Sequence, residues 1–155
     1  KVRPYIKRFT SSCFIDEMAA GNLCVSDCYG GDLNIAKTRA QEAKNGVEIE
    51  VLAPKSGVGI WVDSLMIPRD AQNTANAHKY INHTLDPEVA AQNGNFVTYA
   101  PASRPARALM DAKYTGDASI FPTKELMDKS FIVSPKSTDA SRLSVRLWQS
   151  LKAGK

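Results

Sequence analysis

Apolar residues recur along the chain with two different spacings. A spacing of three or four residues predicts an amphipathic helix, and strict alternation predicts a half-buried strand. Capping residues, such as Asp86 before Pro87, mark several helix starts. The segments predicted as helices on these grounds are 12–20, 32–43 with Asp32 as its cap, 73–85, a shorter helix from 86, 103–112, a short helix from 121–123, and 138–152.

Four other segments are rich in β-branched or aromatic residues and predict strands or extended backbone. The clearest is 47–51, in which apolar residues alternate with Glu48 and Glu50. Because these segments alternate with the helical ones, we expect an α/β fold in which helices pack on a sheet. The predicted strands are 23–26, 47–51 and 60–67, and the predicted extended segment is 96–99.

Composition narrows the class of protein. The chain has 155 residues, of which 43% are hydrophobic and 23% charged, as is usual for a globular protein. No apolar run reaches the roughly 18 residues of a transmembrane helix, so we expect no direct membrane insertion. The first residues include neither a start methionine nor the apolar core of a secretion signal, so we expect the chain to begin partway through a longer protein.

The net charge of +4 raises the question of a nucleic-acid partner. Proteins that track a phosphate backbone concentrate Lys and Arg in blocks, often interleaved with aromatic residues. In this chain the 20 basic residues are scattered among 16 acidic ones. We therefore expect no nucleic-acid partner.

Signatures of catalysis and of metal binding are weak. The sequence has no nucleophile elbow, phosphate-binding loop, zinc-protease motif or dinucleotide fingerprint. Three cysteines leave at least one thiol unpaired, and neither their spacing nor the two distant histidines predicts a zinc site. An enzyme that uses Cys28 with a histidine as base stays open as an alternative. The residues in question are Cys13, Cys24, Cys28, His78 and His83.

Two short segments each join an aromatic residue to a carboxylate. Tyr29 precedes Asp32 in a predicted strand-to-helix turn, and Trp61 precedes Asp63 in a predicted strand. Residues two apart on a strand point to the same face. An aromatic face attracts a cation, and a carboxylate forms charge-assisted hydrogen bonds with an ammonium group. Asp32 can also be explained as a helix cap, whereas Asp63 in an apolar strand would be costly to bury unpaired.

These segments resemble those of a known family, the extracytoplasmic substrate-binding proteins for putrescine and spermidine, which feed ATP-binding-cassette importers. The resemblance runs in order along nearly the whole chain. The similar motifs are the Arg-Pro-Tyr-Ile and Ser-Ser segment in 3–15, a Cys-Val-x-x-Gly-Trp-x-Gly-Asp equivalent in 24–32, the Pro-Lys-x-Gly and aromatic-x-Asp run in 54–68, the Asp-Ala and Pro-Glu-Val helices in 70–89, and Tyr-Ala at 99–100.

The resemblance implies a two-lobed α/β fold of the type II periplasmic-binding-protein kind, of which this chain is the C-terminal half. Residues 1–53 would belong to the second lobe, 54–101 would return to the first lobe, and 102–155 would complete the second. The implied partners are a polyamine ligand, the membrane permease of the importer, and the N-terminal half. The implied location is the periplasm, and no cofactor, metal or catalytic residue is implied.

The resemblance also implies a set of ligand-binding residues. Aromatic residues would cover the methylenes of the polyamine, carboxylates would bind its ammonium groups, and two further residues would make polar contacts. Where the family has Gly-Trp this chain has Cys28 and Tyr29, which makes the aromatic wall smaller and leaves a receptor for another cationic solute as an alternative. The implied residues are Tyr29, Trp61, Asp32, Asp63, Tyr99 and Ser11.

Neutralising the second carboxylate tests this assignment. Asp63→Asn should weaken polyamine binding by the full-length protein at least about tenfold, because a charge partner of the ligand is lost. Titration calorimetry with putrescine and spermidine measures the change. Unchanged affinity for both amines would contradict the assignment.

Overall fold

The computed structural model describes residues 2–11, 14–60 and 62–154. Most of the regular structure is helical, and the described strands form one two-stranded sheet. A short 3-10 helix at Arg3–Tyr5 precedes the first α-helix. The elements are α1 Phe14–Ala19, α2 Gly30–Ala43, β1 Gly59–Ile60, α3 Thr74–Leu85, α4 Pro87–Val97, α5 Arg104–Arg107, α6 Ala112–Thr115, α7 Lys124–Lys129, β2 Phe131–Ile132 and α8 Thr138–Lys152.

The sheet joins two distant parts of the chain. β1 and β2 are parallel, with Gly59 opposite Phe131 and Ile60 opposite Ile132. The amide of Phe131 donates to the carbonyl of Val58 at 3.1 Å. Helices combined with a parallel strand pair are compatible with a fragment of an α/β fold.

Helices α1 and α2 pack against each other and form the first buried cluster. Phe14 and Met18 of α1 are buried, as are Ala36 and Ala40 of α2, whose small side chains allow the helices to approach closely. The Asn45 side chain, just after α2, donates to the last carbonyl of α1 at 2.9 Å. This pair fixes the position of α2, which carries Tyr29 and Asp32 near its start.

A second cluster lies where α4 meets α5. Its buried members are Ala90, Ala91, Ala106 and Met110. Phe121 packs against this cluster, and the Arg107 guanidinium lies 4.2 Å from the centre of its ring. The cluster therefore anchors the loop that contains Phe121 to the helices.

Helix predictions with strong end signals are confirmed. Asp86 caps α4, because its carboxylate accepts the amide of Glu88 at 2.9 Å. Thr123 caps α7 in the same way, through the amide of Leu126 at 3.3 Å. α3 and α8 occupy the predicted segments 73–85 and 138–152, and α1 lies within 12–20, of which residues 12 and 13 fall outside the described part.

The strand predictions are wrong in large part. Segments 23–26 and 47–51 form no strand, and of the described residues in 60–67 (60 and 62–67) only Ile60 belongs to β1. In 47–51 the predicted alternation of burial is present, with the glutamates exposed and their neighbours partly buried. A strand also needs a hydrogen-bonded neighbour, and the described residues provide none for these segments. Side-chain pattern alone therefore overestimated the sheet.

Two further segments differ from prediction. The segment 96–99 is not extended, because α4 continues to Val97 and ends at Thr98 in the left-handed conformation, with φ of 56°. The predicted helix 103–112 is divided into α5 and α6, since Asp111 adopts φ −57° and ψ 136°, which no α-helix contains.

The C-terminal helix packs through only part of its apolar surface. The rings of Phe9 and Trp148 meet edge to face, with centroids 5.0 Å apart. Leu143, Leu147 and Val145 stay exposed on the same helix. No described helix is both long enough and apolar enough to cross a lipid bilayer.

Two glycines with positive φ test the close contact between Gly57, just before β1, and Lys129, the last residue of α7. Gly57→Ala should destabilise the protein by more than about 2 kcal/mol, because φ is +100° and a Cβ would overlap the carbonyl of Lys129. Gly46→Ala is the control, since φ is +82° but no atom lies within 4 Å of a Cβ. Urea denaturation measures both, and equal losses would mean that the contact with Lys129 contributes nothing.

Candidate functional site

The first turn of α2 carries two of the predicted site residues. Tyr29 is the N-cap residue, with φ −70° and ψ 137°, and Asp32 lies in the first turn. The prediction that Asp32 caps the helix is therefore wrong, because the helix begins at Gly30. A carboxylate in the first turn still interacts favourably with the positive end of the helix dipole.

A turn after α4 packs directly on this helix start. Thr98 is only 4% exposed, and its hydroxyl lies 2.8 Å from the carbonyl of Gly31. The same hydroxyl lies 2.7 Å from the carbonyl of Val97, so two acceptors share its proton. The ring of Tyr99 lies against Gly31, where a Cβ would overlap three of the ring carbons. A glycine at position 31 is therefore required for Tyr99 to occupy this place.

This packing brings Asp32 and Tyr99 together. The Tyr99 hydroxyl donates to the Asp32 carboxylate, with the two oxygens 3.5 Å apart. Burial raises the pKa of Tyr99 above its usual value, and the negative charge of Asp32 adds to the shift. The tyrosine is therefore protonated at neutral pH, and its hydroxyl orients a carboxylate that keeps acceptor capacity for a ligand.

A cavity of about 900 Å³ lies beside Tyr29. Ser11 also lines this cavity, so two predicted site residues share it. Most of the wall is apolar. The other lining residues come from four segments: Thr10 and Phe14; Ser26, Asp27, Cys28, Gly30 and Leu33; Val51, Leu52, Ala53, Pro54, Gly57, Val58 and Gly59; and Ala118, Ser119, Pro122, Leu126 and Phe131.

Of the second aromatic and carboxylate pair, the structure describes only Asp63. Trp61 lies outside the described residues. Asp63 is exposed on backbone that is not part of a strand, so the predicted cost of burying its charge does not arise. Within the described part of the chain, no hydrogen bond or ion pair joins Asp63 to Asp32 or Tyr99.

Cys28 also lines the cavity, with its thiol hydrogen-bonded to the hydroxyl of Ser26 at 3.4 Å. Burial raises the pKa of the Cys28 thiol, and the charges of Asp32 and Asp27 add to the shift, while a hydrogen bond with Ser26 opposes it. A thiolate is the nucleophilic form, and it is scarce at neutral pH when the pKa is raised. His78 and His83 are exposed on α3, and neither lines the cavity.

Some residues of the site were not predicted. Thr98 directly precedes the predicted Tyr99, and that adjacency was the only indication in the sequence. Ser119 and Phe131 reach the cavity from far along the chain, and no local pattern marks them. In the ranges 2–11, 14–60 and 62–154, no group of three or more His, Cys, Asp or Glu side chains is placed to hold a metal ion.

Comparison with known proteins finds relatives whose sequences match the whole chain. No protein-family model matches the chain. The putrescine-binding periplasmic protein of Pseudomonas aeruginosa is 36% identical over 155 residues, which is 100% of this chain and 42% of the relative. The putrescine-binding periplasmic protein of Escherichia coli is 35% identical over the same length and share.

A third relative is also named as a putrescine-binding protein. The putrescine/agmatine-binding protein of Pseudomonas aeruginosa is 29% identical over 154 residues, or 99% of this chain. The resemblance inferred from the motifs is confirmed. The chain spans about 42% of the length of these curated relatives, and their names describe binding proteins rather than enzymes.

The contact between Asp32 and Tyr99 leads to a titration test. Asp32→Asn should lower the pKa of Tyr99 toward its usual value, because the charge that opposes its ionisation is removed while burial remains. NMR titration of ring-labelled tyrosine, with Tyr99→Phe to assign the signal, measures the pKa. Asp139→Asn on α8 serves as the control, and an equal pKa in both variants would show that Asp32 has no effect on Tyr99.

Proposed function

We propose that this chain is the C-terminal portion of a periplasmic receptor that captures a polyamine, such as putrescine or spermidine, and delivers it to an ATP-binding-cassette importer. The observation that carries the proposal is the alignment of the whole chain with two putrescine-binding periplasmic proteins at 35% and 36% identity. The share of 42% of each relative fits a receptor of which this chain is one part. The importer, and its membrane permease as the partner of the receptor, are proposed from the family resemblance.

The ligand chemistry agrees with the described site. A polyamine carries ammonium groups separated by methylenes, so a receptor needs carboxylates for the charges and aromatic walls for the chain between them. Asp32 provides a carboxylate that Tyr99 orients, and Tyr29 provides an aromatic wall of the adjoining cavity. Ser11 adds a hydroxyl to that cavity.

Trp61 and Asp63 complete the proposed site from the other lobe. Residues 1–53 and 102–155 are proposed to form the second lobe, and 54–101 to return to the first. The pairing of β1 with β2 joins the segments 54–101 and 102–155, which supports an interlobe connection near these strands. Asp63 is exposed and makes no ion pair in the described part of the chain, as suits a carboxylate that binds ligand on closure.

Closure of the two lobes then explains ligand capture. If Asp32 and Asp63 belong to different lobes, only the closed form offers both carboxylates to one ligand. A ligand shifts a conformational equilibrium by its difference in affinity for the two forms, so the polyamine favours closure. Binding needs no chemistry on the ligand, and the raised pKa of the Cys28 thiol argues against the alternative of an enzyme that uses it.

A receptor for another cationic solute remains the second candidate. Tyr29 is smaller than the tryptophan expected from the family resemblance, and the cavity beside it is large and mostly apolar. Thermal-shift measurements on the full-length protein across a series of amines separate the candidates, since a bound ligand raises the melting temperature. A shift with a different cation and none with putrescine or spermidine would favour this candidate.

Neutralising Asp32 tests the proposed site directly. In the full-length protein Asp32→Asn should weaken binding of putrescine and spermidine at least about tenfold, because an ammonium group loses its charged acceptor. Titration calorimetry measures both affinities. Asp139→Asn is the matched control, since its side chain is 95% exposed on α8, and it should leave affinity unchanged. Failure of the unmodified protein to bind either amine would overturn the proposed function.

A further inference from the structure

A buried amide on α2 is held by a residue from a distant turn. Asn34 is 6% exposed, and its side-chain amide donates to the hydroxyl of Ser119 at 2.9 Å. A buried amide that lacks a partner costs free energy, so this bond constrains the distance between α2 and the turn that carries Ser119. Asn34 lies one helical turn after Gly30, close to the start of α2.

The Ser119 hydroxyl is itself oriented by a carboxylate. It donates to Asp117 at 2.7 Å, and the backbone amide of Ser119 donates to the same carboxylate oxygen at 2.8 Å. Hydrogen bonding by the Ser119 side chain lowers the pKa of Asp117. Because the hydroxyl proton points to Asp117, a lone pair of the Ser119 oxygen is available to Asn34. The three side chains thus form one directed chain of hydrogen bonds.

Ser119 connects this chain to the cavity. Ser119 lines the cavity together with Tyr29 and Gly30. A Cβ built at Gly30 would lie 3.5 Å from the carbonyl oxygen of Ser119. The start of α2 therefore has two supports from later in the sequence. The turn at 98–99 contacts Gly31, and the turn containing Ser119 contacts Asn34 and approaches Gly30.

We propose that Asn34, Ser119 and Asp117 are positioning residues for polyamine binding, which hold the first turns of α2 so that Tyr29 faces the cavity and Asp32 faces Tyr99. This inference rests on the proposed function. It assigns no ligand contact to Asn34 or Asp117, neither of which lines the cavity, whereas Ser119 lies at the cavity wall. Their effect on affinity comes from preorganisation, since a site that must be ordered during binding loses part of its binding free energy.

Substitutions of the central hydroxyl test the inference in the full-length protein. Ser119→Ala should weaken binding of putrescine by roughly five- to tenfold, as expected for loss of a partly buried hydrogen-bond relay. Ser119→Thr retains the hydroxyl and should restore affinity to within about twofold of the unmodified protein. Titration calorimetry, at a temperature where urea denaturation shows each variant to be folded, provides the measurement.

A matched control separates positioning from general stability. Ser137→Ala removes a hydroxyl that caps α8 by accepting the amide of Ala140 at 3.3 Å, and losing a helix cap destabilises a protein by a similar amount to losing a partly buried hydrogen bond. It should leave the affinity for putrescine unchanged. If Ser119→Ala does not fold, Asp117→Ala removes the partly buried acceptor instead and should weaken binding several-fold.

Each result has a distinct meaning. Equal affinities of Ser119→Ala and Ser137→Ala, or an equal loss in Ser119→Thr and Ser119→Ala, would overturn the positioning role while polyamine binding by the unmodified protein stands. Absence of polyamine binding by the unmodified protein would instead overturn the proposed function. A loss in Ser119→Ala that Ser119→Thr restores supports the inference.

Discussion

The contact between Gly31 and the turn at 98–99 determines how Tyr99 and Asp32 are placed at the start of α2. Without a side chain at position 31, the Tyr99 ring lies directly on the helix, and the buried Thr98 hydroxyl lies within hydrogen-bonding distance of the Gly31 carbonyl. The two partners of that bond are 67 residues apart in sequence. The site is therefore a product of long-range packing, and the orientation of Asp32 depends on a residue that the helix itself does not contain.

Helices could be predicted from the sequence wherever their ends are determined locally. Asp86 and Thr123 accept backbone amides two or three residues ahead, so the information lies within one turn of chain. Strands could not be predicted equally well, because pairing depends on a partner. Phe131 and Ile132 carry no distinctive pattern, yet they form the strand that pairs with Gly59 and Ile60.

In the candidate site, too, residues in short motifs could be predicted, whereas contacts between distant parts of the chain could not. The aromatic and carboxylate pattern predicts Tyr29 and Asp32, the family resemblance adds Tyr99, and the structure shows that Asp32 and Tyr99 share a hydrogen bond. The bond between Asn34 and Ser119 spans 85 residues and leaves no trace in local spacing, so no reading of short motifs would find it. The sequence predicts a cost of burying Asp63 in a strand, but Asp63 is exposed and residues 62–67 form no strand.

Residues 47–51 have the burial pattern of a strand but no hydrogen-bonded neighbour in the described part of the chain. Backbone in this state offers amide and carbonyl groups to any strand that reaches it. Glu48 and Glu50 point outward and place two negative charges along this edge. Like charges that face each other across a strand pair are unfavourable, so the edge disfavours in-register pairing with a second copy of itself.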